Sequence, residues 1–253
     1  MEEALNFLDC NCSFGRRSIV EPGSFYKIED LVHKMEYYGI KRALVYHAMA
    51  QEYSPLVGNS MLMEEIKGYG QLIPVWAVMH HHTEEFYEPD VLKDRLRENG
   101  IRAVTMFPGR NDQGFSTDEW NCGELFDMLE ENSVPLIIGL DQVGIESLLG
   151  ILKNHPGLKV ILKRTGYSLN RNLYGILKKF KNLYIESSGY KVHHNIEEFV
   201  RMFGAHRLVF GSGMPFHSGG SAVCNINYAR ISDEEKNMIA WKNLEGILGG
   251  VKW

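Results

Sequence analysis

Ser133-Val134-Pro135-Leu136-Ile137-Ile138-Gly139-Leu140 is the stretch on which the fold class turns. Leu136, Ile137 and Ile138 are apolar in succession, whereas a strand with one wet face alternates apolar and polar residues. A continuous apolar run of strand length is buried on both faces, as parallel strands covered by helices are. The strand expected at 135–140 is one of a series. Similar runs occupy 5–12, 42–47, 72–79, 103–107, 159–163, 183–187 and 208–211. Amphipathic stretches with helical spacing lie between them, at 28–38, 90–98, 124–131, 145–154, 173–180, 196–203 and 233–248.

Eight strand–helix units in 253 residues predict a single (β/α)8 barrel, a fold that commonly takes roughly 250 residues. A doubly wound sheet is the alternative, but eight units would make it unusually wide. No linker or composition break divides residues 1–253, which read as one domain. Local signals agree. Ser232-Asp233-Glu234-Glu235 offers a capping-box start, Gly249-Gly250 a helix stop, and Tyr38-Gly39 and Glu98-Asn99-Gly100 helix ends before strands. Gly219-Gly220 reads as a flexible loop.

Hydrophobic content of 44% and charged content of 23% are those of an ordinary globular chain. A net charge of -5 and a pI near 6.1 predict no nucleic-acid partner. No apolar run reaches the ~20 residues that span a bilayer, so no membrane partner is expected. The acidic start Met1-Glu2-Glu3-Ala4 is unlike a secretory signal, and the expected location is cytoplasmic. Cys10, Cys12, Cys122 and Cys224 are then reduced thiols. Strand alternation predicts that Cys10 and Cys12 share the face toward the helices. Trp120 and Trp253 are compatible with a homo-oligomer.

The chain resembles the amidohydrolase-related branch of the amidohydrolase superfamily, metal-dependent barrel hydrolases and decarboxylases of small carboxylated substrates. The resemblance rests on the order and spacing of several pieces. Phe7-Leu8-Asp9-Cys10-Asn11-Cys12-Ser13 resembles the opening strand, and Gly58-Asn59, placed before a helix, the second crossover. Ser133 to Ile138, His155-Pro156-Gly157 and Asn182 to Gly189 resemble the approaches to later strands. Leu208-Val209-Phe210-Gly211-Ser212-Gly213-Met214-Pro215 resembles the last one.

In such families two histidines on the opening strand, one each on the fifth and sixth, and an aspartate on the eighth bind the metal. The matching positions here are Asn11, Ser13, Gly139, Arg164 and Gly213. None is a good ligand. The expectation is therefore no cofactor, with zinc only if a site has moved, for example to His47, His80 or His82, and His217.

Arg164 brings a permanent charge to the barrel mouth. It either pairs internally, with Asp9 or Glu186 the best partners by strand position, or clamps a carboxylate. Arg16-Arg17 in the first βα loop reads as a solvated pair, with help in attracting an anion as the alternative. The candidate acid–base residues are Asp9, Glu186 and His47. The candidate ligand contacts are Arg164, Asn11, Ser13, His80, Arg110 and His217, all near C-terminal strand ends, where barrel active sites lie.

The leading expectation is a diverged, metal-free barrel that binds a small anionic, carboxylated molecule. The alternative is an active hydrolase or decarboxylase with a relocated metal or metal-independent acid–base chemistry. The third is a non-catalytic structural or interaction protein, its lumen plugged by Met106, Met214 and Phe216.

Overall fold

Parallel strands alternate with helices throughout the computed structural model, which describes residues 5–167 and 170–253. The acidic start, Met1 to Ala4, lies outside these residues. The strands are β1 (Phe7–Phe14), β2 (Ile40–His47), β3 (Leu72–Pro74), β4 (Trp76–Ala77) and β5 (Val104–Met106). They continue as β6 (Leu136–Gly139), β7 (Val160–Lys163), β8 (Leu183–Glu186) and β9 (Leu208–Val209). The helices begin with α1 (Ile28–Tyr38), α2 (Ala48–Glu52), α3 (Pro55–Glu65), α4 (Pro89–Glu98), α5 (Glu119–Glu131) and α6 (Leu140–Asn154). The remainder are α7 (Asn170–Lys179), α8 (Asn195–Phe203), α9 (Gly219–Asn227), α10 (Asp233–Asn237) and α11 (Asn243–Gly249).

The strands form two parallel arcs, β1-β2-β3 and β4-β5-β6-β7-β8-β9. Both seams are stitched. Val75 alone separates β3 from β4, and its N–H donates to the Val45 carbonyl at 2.9 Å. At the other seam Cys10 N–H donates to Phe210 O, Gly213 N–H to Asn11 O and Ser13 N–H to Met214 O, each at 3.0 Å. The result is the expected (β/α)8 barrel, with the strand predicted at 72–79 broken at Val75.

Alternation along the strands sorts the core into two layers. Leu8, Cys10, Leu44, Val75, Ala103, Ile137, Ile161 and Val209 meet in the lumen, closed below by Leu244, Ile247 and Leu248 of α11. Leu136, Ile138, Val160, Leu162 and Ile185 turn outward against the helices. The Leu136–Ile138 run is thus buried on both sides. Met106 also belongs to the outer layer and does not plug the lumen.

Cys10 and Cys12 do not share a face, contrary to simple alternation. A register irregularity between Asp9 and Cys12 flips the parity, leaving Cys10 in the lumen and Cys12 under the helices.

Several helix ends follow from sequence. Gly39 adopts φ 76° and its N–H closes α1 on the Glu36 and Met35 carbonyls. Ser232 and Glu235 form the capping box of α10. Met238–Lys242 then makes a π-helical turn whose Ile239 carbonyl accepts from Phe210 N–H at 3.0 Å. In α6, Gly144 breaks the helix at φ 69°, so the regular part begins where periodicity predicts, at Ile145.

Helices α2 and α9 have no counterpart among the expected elements, and α3 starts earlier than expected. Gly58-Asn59 lies inside α3, not before a helix. Gly58 lets α3 approach the Ala50 backbone, and Asn59 brackets Ala77 by donating to its carbonyl (2.8 Å) and accepting from its N–H (2.9 Å). Gly219 and Gly220 open α9 rather than a flexible loop, because both lie against the Tyr38 ring where a Cβ would not fit.

Candidate active site

At the C-terminal ends of the strands lies a cavity of about 240 Å³. Asn11, Ser13, Tyr46, Arg164, Gly213, Phe216 and His217 are among the residues that line it. The barrel therefore brings together Asn11, Ser13, Arg164, Gly213 and His217, as expected. It does not bring His47, His80 or Arg110 to the cavity. His47 is buried at the start of α2, where its Nδ1 accepts from Met49 N–H at 3.2 Å. His80 packs edge-on against Phe115, and Arg110 is an exposed turn residue. A larger surface cleft of about 650 Å³ adjoins the mouth and shares Ser188, Lys191 and His217 with it. The smaller cavity is the better candidate, because Arg164, Lys191 and the Tyr46 phenol line it.

The dominant inward charge is Lys163, which the sequence reading missed. Ile161 faces the lumen, so Lys163 two residues on does also. It is 4% exposed, and its Nζ lies 3.5 Å from Asn11 Oδ1. The ammonium is 5.0 Å from the Tyr46 ring centroid and 5.5 Å from that of Phe107.

Arg164 leaves the strand at φ 56° and turns to the rim. Its partner is neither Asp9 nor Glu186 but Asp141, at 3.1 Å and with both side chains partly exposed. Asp141 sits in the first turn of α6, directly after neighbouring β6, within reach of a rim residue. Arg17 is no solvated loop residue either. It donates to Ser13 Oγ at 2.9 Å, pairs with Glu52 at 3.3 Å and lies 4.5 Å from the Phe216 ring centroid.

These cations surround Tyr46, a buried phenol that donates to Gln51 Oε1 at 3.3 Å. Burial alone pushes its pKa up, but Lys163, Arg17 and Arg164 together pull it below the ordinary phenol value. The cations thus make the Tyr46 phenol a stronger acid than a free one. His217 is held below its ordinary pKa by burial and by Lys191 and Arg164, which favours the neutral ring.

Asp9 and Glu186 lie beneath the cavity, fully buried. Asp9 accepts from Asn11 N–H (2.9 Å), Ser212 N–H (3.0 Å) and Cys12 Sγ (3.1 Å). Glu186 accepts from Ser188 and Gly189 N–H groups. Burial raises both pKa values despite these donors, and the nearby Asp9 carboxylate raises Glu186 further. A carboxyl raised on folding stabilises the fold most below its unfolded value, about 4.3 for Glu, and that contribution is lost as pH rises through the folded value. Glu186→Gln keeps an acceptor oxygen without the ionisation. Its Tm relative to wild type is expected to climb as pH rises above the unfolded value of about 4.3, by about 2–4 °C per kcal/mol. A pH-independent difference in thermal melts would refute this.

The donors at the mouth do not fit a divalent cation. Asn11 Oδ1 already faces the Lys163 ammonium, Gly139 and Gly213 offer no side chain, and Arg164 is itself cationic. Gly213 has φ 71°, and a Cβ there would lie 2.8 Å from His217 Cδ2 and 3.1 Å from Ser188 Oγ. Left-handed backbone costs a non-glycine residue about 1–2 kcal/mol. Gly213→Ala is therefore expected to lose at least that much stability, read as a lowered urea midpoint; an unchanged midpoint would contradict the strain.

The amidohydrolase family model matches residues 58–249. The chain belongs to the amidohydrolase family. No curated protein matches it. Among solved structures, an uncharacterized TIM-barrel protein of Bordetella bronchiseptica is 17% identical, covering 97% of this chain and 99% of that one (TM-score 0.76). The 2,6-dihydroxybenzoate decarboxylase of Rhizobium is 15% identical over 97% and 99% of the two chains (TM-score 0.77). The 5-carboxyvanillate decarboxylase of Novosphingobium aromaticivorans, solved with manganese and 4-hydroxy-3-methoxy-5-nitrobenzoic acid, is 16% identical over 98% and 97% (TM-score 0.75).

These findings overturn the expectation that this chain has no cofactor. Decarboxylases of the same fold hold manganese, and the chain itself gathers three ligand groups, Asp127, Glu130 and His155. Among the described residues that is the only such cluster. The relocated site envisaged around His47, His80, His82 and His217 does not form. No described helix is long and apolar enough to cross a membrane.

Proposed function

We propose that this amidohydrolase-family barrel is an enzyme that decarboxylates a small carboxylated aromatic acid at its mouth. The observation that carries the reading is the buried Tyr46 phenol held among Lys163, Arg17 and Arg164. A cavity of about 240 Å³ is smaller than the roughly 300–1,000 Å³ of drug-sized sites, which suits a single substituted ring. Phe216 supplies an apolar wall beside Arg17 and Arg164. The fold's decarboxylase relatives, acting on 2,6-dihydroxybenzoate and 5-carboxyvanillate, support the substrate class.

In this reading Arg164, the exposed cation, takes the substrate carboxylate. A cation gripping the carboxylate too tightly would stabilise the ground state, since that charge disappears as CO2 leaves. A partly exposed, already paired guanidinium suits such loose orientation. Tyr46 then gives its proton to the ring carbon that bears the carboxylate. The C–CO2 bond breaks, its electron pair returns to the ring, and CO2 leaves. The products are the ring with hydrogen in place of carboxylate, CO2 and the Tyr46 phenolate. Lys163 and Arg17 stabilise that phenolate until solvent returns a proton.

The test is CO2 release from a panel of hydroxybenzoates and their methoxy derivatives by the purified protein. In D2O the product must carry one deuterium at the vacated ring carbon. Release of an alcohol or amine without CO2 would make the protein a hydrolase instead. Tight binding of the panel without any turnover would leave a carrier and sink the proposal.

A further inference from the structure

A second charged cluster lies at the opposite end of the barrel. Asp127 and Glu130 occupy the last turns of α5, and His155 follows α6. Val160, where β7 begins, is five residues after His155, so this cluster sits by the N-terminal strand ends, while Arg164 marks the mouth. His155 is 1% exposed, and the three residues' ligand atoms lie within 4.8 Å of one another.

The imidazole has its two nitrogens in different situations. Nε2 lies 3.1 Å from Glu119 Oε2, an acceptor that Asn154 also serves at 3.0 Å, so Nε2 carries the hydrogen. Gly123 leaves room for the Glu119 carboxylate to run down the helix to this point. Nδ1 is different: it is buried and makes no hydrogen bond. Yet Asp127 Oδ1 stands 3.1 Å and Glu130 Oε2 3.5 Å away. The two facts are compatible only if the oxygens lie off the direction in which a proton on Nδ1 would point.

That arrangement suits a metal better than a proton. A hydrogen bond needs its acceptor on the N–H axis. Ligands of one ion instead surround it, and bonds of about 2.0–2.2 Å place neighbouring donor atoms about 3.0–3.5 Å apart. The two separations from Nδ1, 3.1 and 3.5 Å, are of that size. A ring whose other N–H is fixed by a carboxylate is also how metal-binding histidines are oriented. Without a positive species between them, the Nδ1 lone pair would face two carboxylates. Glu130 is further held by the N–H of Gly157, where a Cβ would collide with its Oε1.

We infer that Asp127, Glu130 and His155 Nδ1 form a binding site for a divalent transition-metal ion, with Glu119 orienting the imidazole. One imidazole and two carboxylates suit zinc or manganese. The ion ties α5 to the segment entering β7 and is structural, being remote from the mouth. This site is independent of the decarboxylase reading.

The test uses the full chain, stripped with chelator, loaded with ZnCl2 or MnCl2, desalted and assayed for metal by mass spectrometry. Wild type should retain about one ion per chain and, at a hundredfold excess over the dissociation constant, melt about 5–10 °C higher. Asp127→Asn/Glu130→Gln should retain none and show no shift, while ligand-induced stabilisation at the mouth stays unchanged. Both replacements sit at or near the surface and preserve shape, so the variant folds as a control. If wild type retains no ion, or the double variant retains as much, the inference fails and the cluster is only a packing contact between α5 and the segment entering β7.

Discussion

Tyr46→Phe is expected to lower kcat for decarboxylation by about 10²–10⁴-fold, the usual contribution of a positioned general acid, with substrate affinity changed only a few-fold. The ring, its packing on Phe107 and its contact with Lys163 all survive this substitution. Only the proton and the bond to Gln51 are lost. The pH profile supplies a second readout. Lys163, Arg17 and Arg164 outweigh burial and hold the Tyr46 phenol below its ordinary pKa of about 10. The donor must be protonated, so kcat should fall on the alkaline side at a pH beneath that value. The limb should vanish from whatever residual rate Tyr46→Phe retains. A variant with wild-type kcat would remove Tyr46 from the chemistry.

The parts of this architecture written in local sequence were legible. Leu136–Ile138 announces burial on both faces, Gly39 and Ser232 mark helix boundaries, and the eight-fold alternation leaves little room for another fold. The site was only half legible, for identifiable reasons. Arg164 is the residue that matches the family's ligand position, although alternation from Ile161 points to Lys163 as the inward cation. Arg17 reads as a loop residue because its contact with Phe216 joins opposite ends of the chain. Tyr46 looks like one more apolar strand residue until the charges around it are placed. His155, Asp127 and Glu130 meet through the packing of α5 beside α6, which no spacing in the sequence encodes. The irregularity in β1 that separates Cys10 from Cys12 arises where Asp9 collects donors from both seam strands.

Lys163→Met separates the roles of the two adjacent cations. Lys163 is buried and has one weak polar contact, so its charge is costly to hold and is retained for what it does to the phenol. Methionine preserves the apolar stem that packs between Tyr46 and Phe107. Removing the charge should leave the fold as stable as before or more so, because an incompletely paired buried ammonium is exchanged for a hydrophobic chain. It should also remove one stabilising interaction from the Tyr46 phenolate formed in the transition state. A charge-assisted interaction of about 1.5–3 kcal/mol corresponds to a fall in kcat of about 10- to 150-fold. The alkaline limb should move upward, since the phenol loses the first of the cations that depress it. Arg164→Met should act mainly on binding. Its guanidinium is partly exposed and shared with Asp141, so its loss should raise KM by about tenfold or less with kcat close to wild type, and should move the alkaline limb upward by less than Lys163→Met does, since it is the weaker of the two pulls on the phenol. Equal effects of the two variants on KM alone would make both residues simple anion contacts. In that case the phenol would draw no catalytic benefit from the lysine beneath it.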